Sequence, residues 1–317
     1  MPFGRPPPSL VPLGNTFRPL PGQNPNAMGD QGCFNAGVVI VQRRQDRLKC
    51  IEKRLKAEQI LNGKARLEIK VLRGLKHHNI CQYIDAFLDE NPRHPRASLY
   101  VEYCELGTLD DVLERYFEMR QRVPEGAVWS IFKQLTRALG YCQLGIHDVL
   151  RREQRPQPGW VGVVHRDVKP DNIFLSRGSH RPFPRVVLGD FGCAIRADIR
   201  GFEGMEYHNI DPYWDPPETP SFGYYRDMWG LGAVIQALCR LDGPAGSRYG
   251  PFEGESRFQG AGRYYSPQLN RALDIVLNTE ADNRMDLARF GPYLWRLWDE
   301  AGRPHPTLAP WALSSRR

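Results

Sequence analysis

The run His165-Arg-Asp-Val-Lys-Pro-Asp-Asn172 constrains this chain more than any other part of it. Five ionisable side chains, a proline and an amide fall within eight consecutive positions, bounded by Val161-Gly-Val-Val164 on one side and Ile173-Phe-Leu175 on the other. Short apolar flanks of this kind read as buried strands, and the polar run between them as a loop with Pro170 at a corner. Such a loop keeps its shape only if the elements around it hold it, so the rest of the sequence must supply them.

The chain has the material. Its 317 residues are 41% hydrophobic, enough for one large domain or two lobes and too apolar for a disordered chain. No uncharged run approaches the roughly 18 apolar residues of a membrane span. The start, Met1 to Asn15, is proline-rich without an apolar core, which argues against a secretory signal. The net charge of +7 is scattered in short groups such as Arg43–Arg44 and Arg151–Arg152, never in a block of five or six. It therefore reads as solvated surface rather than a nucleic-acid interface. Seven widely spaced cysteines without a C-x-x-C pair argue against a disulfide framework and a structural zinc site. Reduced thiols inside the cell, in cytoplasm or nucleus, are the expectation.

Along the chain, residues 1–28 carry prolines and glycines but no periodicity and are expected to be a flexible lead-in. Strands are predicted at 37–41, 48–53, 80–88 and 99–104, with a helix over 58–75, where Glu68, Leu72 and Leu75 share a face. Beyond Gly107 the pattern turns helical, at 109–116, 127–143, 227–241, 268–277 and 292–299, with short strands at 172–175 and 185–189. The basic segment 148–159 reads as a surface loop, and the residues after about 304 as frayed.

On this organisation, the run from His165 to Asn172 resembles the catalytic loop of eukaryotic protein kinases, H-R-D-x-K-P-x-N. Even five of its six fixed residues arising by chance in one chain would have odds on the order of one in ten thousand by flat-composition counting. The resemblance implies that Asp167 orients a hydroxyl and accepts its proton, that Lys169 lies near the transferring phosphoryl group, and that Asn172 ligates magnesium. Asp190-Phe-Gly192 is similar to D-F-G, which implies magnesium at Asp190, a sharp turn at Gly192, and Phe191 in a packed spine with Leu72, Tyr83 and His165. Lys53 fits the lysine that reaches the nucleotide phosphates, Glu68 the helix glutamate that fixes it, and Ile51 the cover of the adenine. Glu52 stands where the family usually has an apolar residue.

In Leu99-Tyr-Val-Glu-Tyr-Cys104, Val101 resembles the gatekeeper, with the Glu102 carbonyl and Cys104 amide at the adenine edge. In Asp30–Val38, Gly32 and Phe34 fit the second glycine and aromatic tip of the phosphate-covering loop, while Asp30 and Asn35 replace its outer glycines. Pro216-Pro-Glu218 resembles A-P-E, with Arg284 as the partner of Glu218, and Asp227 opens a run similar to D-x-W-S-x-G. Between Asp190 and Glu218 there is no serine or threonine. Arg166, which the family uses to receive an activation-loop phosphate, would then meet a fixed acid such as Glu203 or Glu206. Cys193 reads as a small buried filler.

The resemblance covers about residues 29–300. It implies an α+β, bilobal protein kinase fold: a small antiparallel-sheet lobe with one C-helix at 29–104 and a larger, mainly helical lobe at 105–302. The lead-in, 1–28, and a frayed tail, 303–317, flank them. Lys169 matches the serine/threonine type, and Asn172–Leu175, Val187–Gly192 and Tyr103-Cys104 look most like the NIMA-related branch. The implied activity is transfer of the γ-phosphoryl group of ATP, with Mg2+, to Ser/Thr hydroxyls of protein substrates, with no membrane or nucleic-acid partner. The substituted phosphate loop leaves a second reading open, a pseudokinase that uses the fold as a binding or scaffold module.

Overall fold

In a computed structural model, which describes residues 9, 12–20, 35–178, 183–199, 214–218, 223–241 and 260–313, the β-branched runs of the first third become strands. The chain divides into two compact units. One comprises Met1–Lys76, Ile80–Tyr103 and Phe191–Ala194; the other comprises His77–Asn79, Cys104–Asp190 and Ile195–Arg317.

The first unit holds β1 (Phe17–Pro19), β2 (Asn35–Arg43), β3 (Lys49–Leu55), α1 (Ala57–Leu61), α2 (Lys64–Gly74), β4 (Tyr83–Asp89) and β5 (Arg96–Glu102). The strands form one antiparallel sheet in the order β1-β2-β3-β5-β4. The β2–β3 turn is closed by Asp46, whose carboxylate accepts from the Leu48 amide at 3.1 Å and from Arg43 at 3.0 Å. The helix predicted over 58–75 is divided: Gly63 takes φ +81°, and Asn62 Oδ1 accepts from the Lys64 amide at 3.1 Å, so α2 starts afresh.

Within 1–28, expected to be a flexible lead-in, the described residues 9 and 12–20 are tied to the sheet. β1 pairs with Val41–Arg43 at one edge of the sheet. At the other edge the Ser9 amide donates to the Ala86 carbonyl at 2.7 Å, and the Leu88 amide to the Ser9 carbonyl at 3.0 Å. Phe17 supplies the reason. Its ring is 4% exposed, packed with Val39, Val41 and Cys50, and stacked on Tyr100 with centroids 4.2 Å apart.

The second unit begins with α3 (Leu109–Glu118) and α4 (Glu125–Leu144). A capping box starts α3: Thr108 Oγ1 accepts from the Asp111 amide at 3.1 Å, and the Asp111 carboxylate from the Thr108 amide at 2.9 Å. Strands β6 (Val163–Val164), β7 (Ile173–Ser176), β8 (Arg185–Leu188) and β9 (Ile195–Arg196) pair as β6–β9 and β7–β8. Helices α5 (Tyr224–Arg240), α6 (Pro267–Val276) and α7 (Leu287–Glu300) follow. Buried residues surround α4 on nearly all sides, as a central helix requires, and α5, α7 and β8 pack on it. At Gly291 of α7 a Cβ would stand 2.2 Å from the Val149 carbonyl oxygen, so only glycine admits that approach. Val149 and Leu150 are buried there, while 151–159 are exposed as expected of a surface loop.

The tail expected to fray is packed up to residue 313. The Trp311 and Tyr116 rings lie 4.8 Å apart, Arg115 donates to the Ala312 carbonyl at 2.8 Å, and Tyr116 Oη accepts from the Ala309 amide at 3.0 Å. The two units thus have the expected α+β make-up, one sheet-built and one mainly helical. Among the described residues no helix is long and apolar enough to cross a membrane.

Candidate active site

In the second unit, β6 leads the chain into residues 165–172 and β7 leads it out, so two antiparallel pairs fix the ends of the polar run. His165 is fully buried. Its Nδ1 accepts from the Asp167 amide at 3.3 Å, which leaves Nε2 to donate to the Gly189 carbonyl at 2.9 Å. Asp167 is 5% exposed. Its Oδ1 lies 3.2 Å from Lys169 Nζ, and its Oδ2 accepts from Asn172 Nδ2 at 2.7 Å. Asn172 Nδ2 also donates to the Asp167 carbonyl at 2.9 Å. With the amide nitrogen committed twice, no described residue donates to Asn172 Oδ1, a hard oxygen donor of the kind magnesium takes.

Asp190 follows β8 and carries the left-handed turn, at φ +54°. The sharp turn expected of Gly192 is therefore made two residues earlier, by a residue type that tolerates this conformation. Arg166 is also left-handed, at φ +68°. Asp227, at the start of α5, accepts from the His165 amide at 2.9 Å and from the Arg166 amide at 2.8 Å. Burial pushes the Asp227 carboxyl up from its ordinary value, and His165 and the two amides pull it back.

Arg284 and Glu218 form the expected pair, with two contacts of 2.5 and 2.6 Å; Arg284 also donates to the Asn278 carbonyl at 2.8 Å. Beside these lies a second pair that sequence reasoning missed. Arg226 donates through Nη2 to Asp215, and its Nε donates to the Arg166 carbonyl at 3.1 Å. The available signal was a charge immediately before Asp227 and another three residues before Glu218.

In the first unit, the alternation of β3 turns Lys53 to the side from which α2 presents Glu68, and Nζ meets Oε1 at 2.8 Å with both side chains buried. Ile51 stands opposite Val101 of β5, and Lys53 opposite Leu99. The Glu102 amide donates to the Gln82 carbonyl at 3.0 Å. Glu52, on the other side of β3, accepts from Ser98 Oγ at 2.8 Å and from Tyr100 Oη at 3.2 Å, which accounts for an acid at a family-apolar position. Leu72, Tyr83 and Phe191 are buried in this unit, and α2 packs against Phe191–Cys193. Cys193 is buried there too; Cys104 is buried in the second unit. Gly32 and Phe34 lie outside the described residues, as do Glu203 and Glu206.

The sequence matches the family model described as "Protein kinase domain" over residues 28–248. "G2-specific protein kinase fin1" of Schizosaccharomyces pombe is 35% identical over 195 residues, 60% of this chain and 25% of that protein. "Serine/threonine-protein kinase Nek2" of Homo sapiens is 32% identical over 231 residues, 68% of this chain and 46% of that one. "G2-specific protein kinase nimA" of Emericella nidulans is 26% identical over 283 residues, 81% of this chain and 39% of that one. The chain spans between a quarter and a half of the length of these curated relatives. Because the family match takes in Lys53, Glu68, the whole run from His165 to Asn172, Asp190 and Glu218 together, the chain belongs to the protein kinase domain family, and fin1, Nek2 and nimA are relatives it is similar to.

Proposed function

We propose that this chain is an ATP-dependent serine/threonine protein kinase that transfers the γ-phosphoryl group of Mg-ATP to hydroxyls of protein substrates. The observation that carries this reading is Asp167, a buried carboxylate braced by Lys169 at 3.2 Å and by Asn172 at 2.7 Å. In the proposed reaction the substrate hydroxyl oxygen bonds to the γ-phosphorus as the bond to the bridging oxygen of ADP breaks, and the hydroxyl proton passes to Asp167. Lys169 stabilises the negative charge of the transferring group. Lys53, fixed by Glu68, meets the α- and β-phosphates, as the family resemblance implies.

Asn172 and Asp190 would hold magnesium, which when bound neutralises charge on the β- and γ-phosphate oxygens. Ile51, Val101, Glu102 and Cys104 would bound the adenine, with Gly32 and Phe34 over the phosphates. Arg166, Phe191, Gly192, Glu218, Asp227 and Arg284 would hold these groups in register. Positioning and charge stabilisation supply nearly all of the rate in such chemistry.

The test is transfer of labelled γ-phosphoryl from ATP to generic basic and acidic protein substrates, by the wild type and by Asp167→Asn. Transfer should fall by about 10²- to 10⁴-fold in the variant while nucleotide binding persists. Undiminished transfer by Asp167→Asn would remove Asp167 from its role. A wild type that binds nucleotide and transfers nothing would establish the binding-module reading, which the substituted positions Asp30 and Asn35 favour.

A further inference from the structure

We propose that Arg226 and Asp215 form a buried charged staple that positions the catalytic loop for phosphoryl transfer. The inference rests on the kinase reading above and deepens it by naming a positioning device of the same site.

The staple begins at a strained residue. Arg166 sits at φ +68°, a conformation that a long side chain keeps only where its surroundings over-determine it. Two neighbouring residues of α5 grip it from both ends. Asp227 accepts from its amide at 2.8 Å, and Arg226 Nε donates to its carbonyl at 3.1 Å. That carbonyl belongs to the peptide joining Arg166 to Asp167. The peptide entering the proton-accepting residue is therefore held at its carbonyl by the Arg226 guanidinium, as it is held at its amide by His165 Nδ1.

Arg226 is itself fixed from the far side. Its Nη2 pairs with Asp215 Oδ1, and both residues are 4% exposed. A guanidinium is a rigid planar fork, so holding one edge on Asp215 dictates where the other donors point. The segment 214–218 is thus tied by two arginine–carboxylate pairs whose acids lie three residues apart, Arg226–Asp215 buried on both sides and Arg284–Glu218 buried on the arginine side only. They differ in where they lead. Arg284 gives its further hydrogen bonds to the Asn278 and Tyr225 carbonyls, at 2.8 and 3.2 Å, and stands over the Trp229 ring at 5.0 Å, with no hydrogen bond to a described residue of the catalytic loop. Of the two arginines, Arg226 is the one that continues to Arg166, the residue beside Asp167. A buried ion pair is a poor way to gain stability compared with packed apolar side chains. Its value here lies in fixing one arrangement of the loop relative to the segment that ends at Glu218.

The experiment compares wild type with Arg226→Lys, which keeps the charge but loses the fork, and with Asp215→Leu/Arg226→Leu, which replaces the pair by apolar side chains of similar bulk. Both should keep nucleotide affinity and KM for ATP within about twofold, while kcat falls at least about tenfold, since a misplacement of about 1 Å can cost as much as 10²-fold. A purely structural pair would move the melting transition and leave kcat per folded molecule alone. A folded double-leucine variant with kcat within about twofold of wild type overturns the proposal. Asp167→Asn in the same assay separates the two readings: if it abolishes transfer while the double-leucine variant does not, only the staple fails.

A wild-type measurement does not depend on any variant folding. In hydrogen exchange the amides of Arg166 and Asp167 should open together with those of Trp214, Asp215 and Glu218, with equal denaturant sensitivity. Independent opening of the two stretches also overturns the staple.

Discussion

Replacing Phe17 by alanine should weaken the sheet unit far more than its place near the chain's start suggests. The ring is 4% exposed and lies among Val39, Val41 and Cys50. Truncating a buried phenylalanine costs about 3–5 kcal/mol, of which a stacked ring pair such as Phe17–Tyr100 accounts for about 0.5–1.5 kcal/mol. β1 is only three residues long and sits at an edge, so part of the cavity can close, and about 3 kcal/mol is the expected loss. A second consequence follows at Tyr100. Burial, and secondarily the Glu52 carboxylate, push its phenol well above the ordinary value. Opening the space over its ring should bring that value back down. The assay is native-state hydrogen exchange across β2 and β3, with urea unfolding alongside. Arg18→Ala, one residue on and exposed, should change stability by no more than about 0.5 kcal/mol. A loss below about 1 kcal/mol for Phe17→Ala would refute the packing of this segment on the sheet.

Three further outcomes are expected. Arg284→Met leaves the Glu218 carboxylate and two backbone carbonyls without their donor, so urea unfolding should show a loss of about 3 kcal/mol or more. His77 is held down to about 4 by burial, against an ordinary 6.5, while its ring bonds the Asn79 amide and the His147 carbonyl and lies near Tyr141, His78 and Arg137. Between those values the unfolded chain binds a proton that the folded one refuses, so stability is lost as pH falls from about 6.5 to about 4. The loss is about 3 kcal/mol, and it should be missing from the pH dependence of His77→Gln. Gly126→Ala would place a Cβ 1.9 Å from the His305 carbonyl oxygen, which should cost about 1–3 kcal/mol and speed proteolysis of residues 304–313.

The parts legible in the sequence are those where chemistry restricts residue type within a short span. Asp167, Lys169 and Asn172 could be read together because one loop carries all three, and the structure brings them into contact. Long periodic helices such as α4 and α5 were legible for the same local reason. β1 was not, because three residues ending in proline carry no period and their partners are 22 to 26 positions away. The Arg226–Asp215 pair was hidden likewise, since only the tertiary fold brings its members together. The break before α2 could have been read from Asn62-Gly63, a turn dipeptide inside a helical pattern. The shift of the sharp turn from Gly192 to Asp190 could not, because a glycine permits a left-handed conformation without requiring it.

The most direct test of the kinase reading measures Mg-ATP binding and single-turnover phosphoryl transfer in the same preparations of wild type, Lys53→Met and Asp167→Asn. Wild type should bind and transfer. Lys53→Met should lose transfer along with its hold on the phosphates, and Asp167→Asn should bind like wild type yet transfer at least about 10²-fold more slowly. Transfer by Asp167→Asn at the wild-type rate would contradict the account.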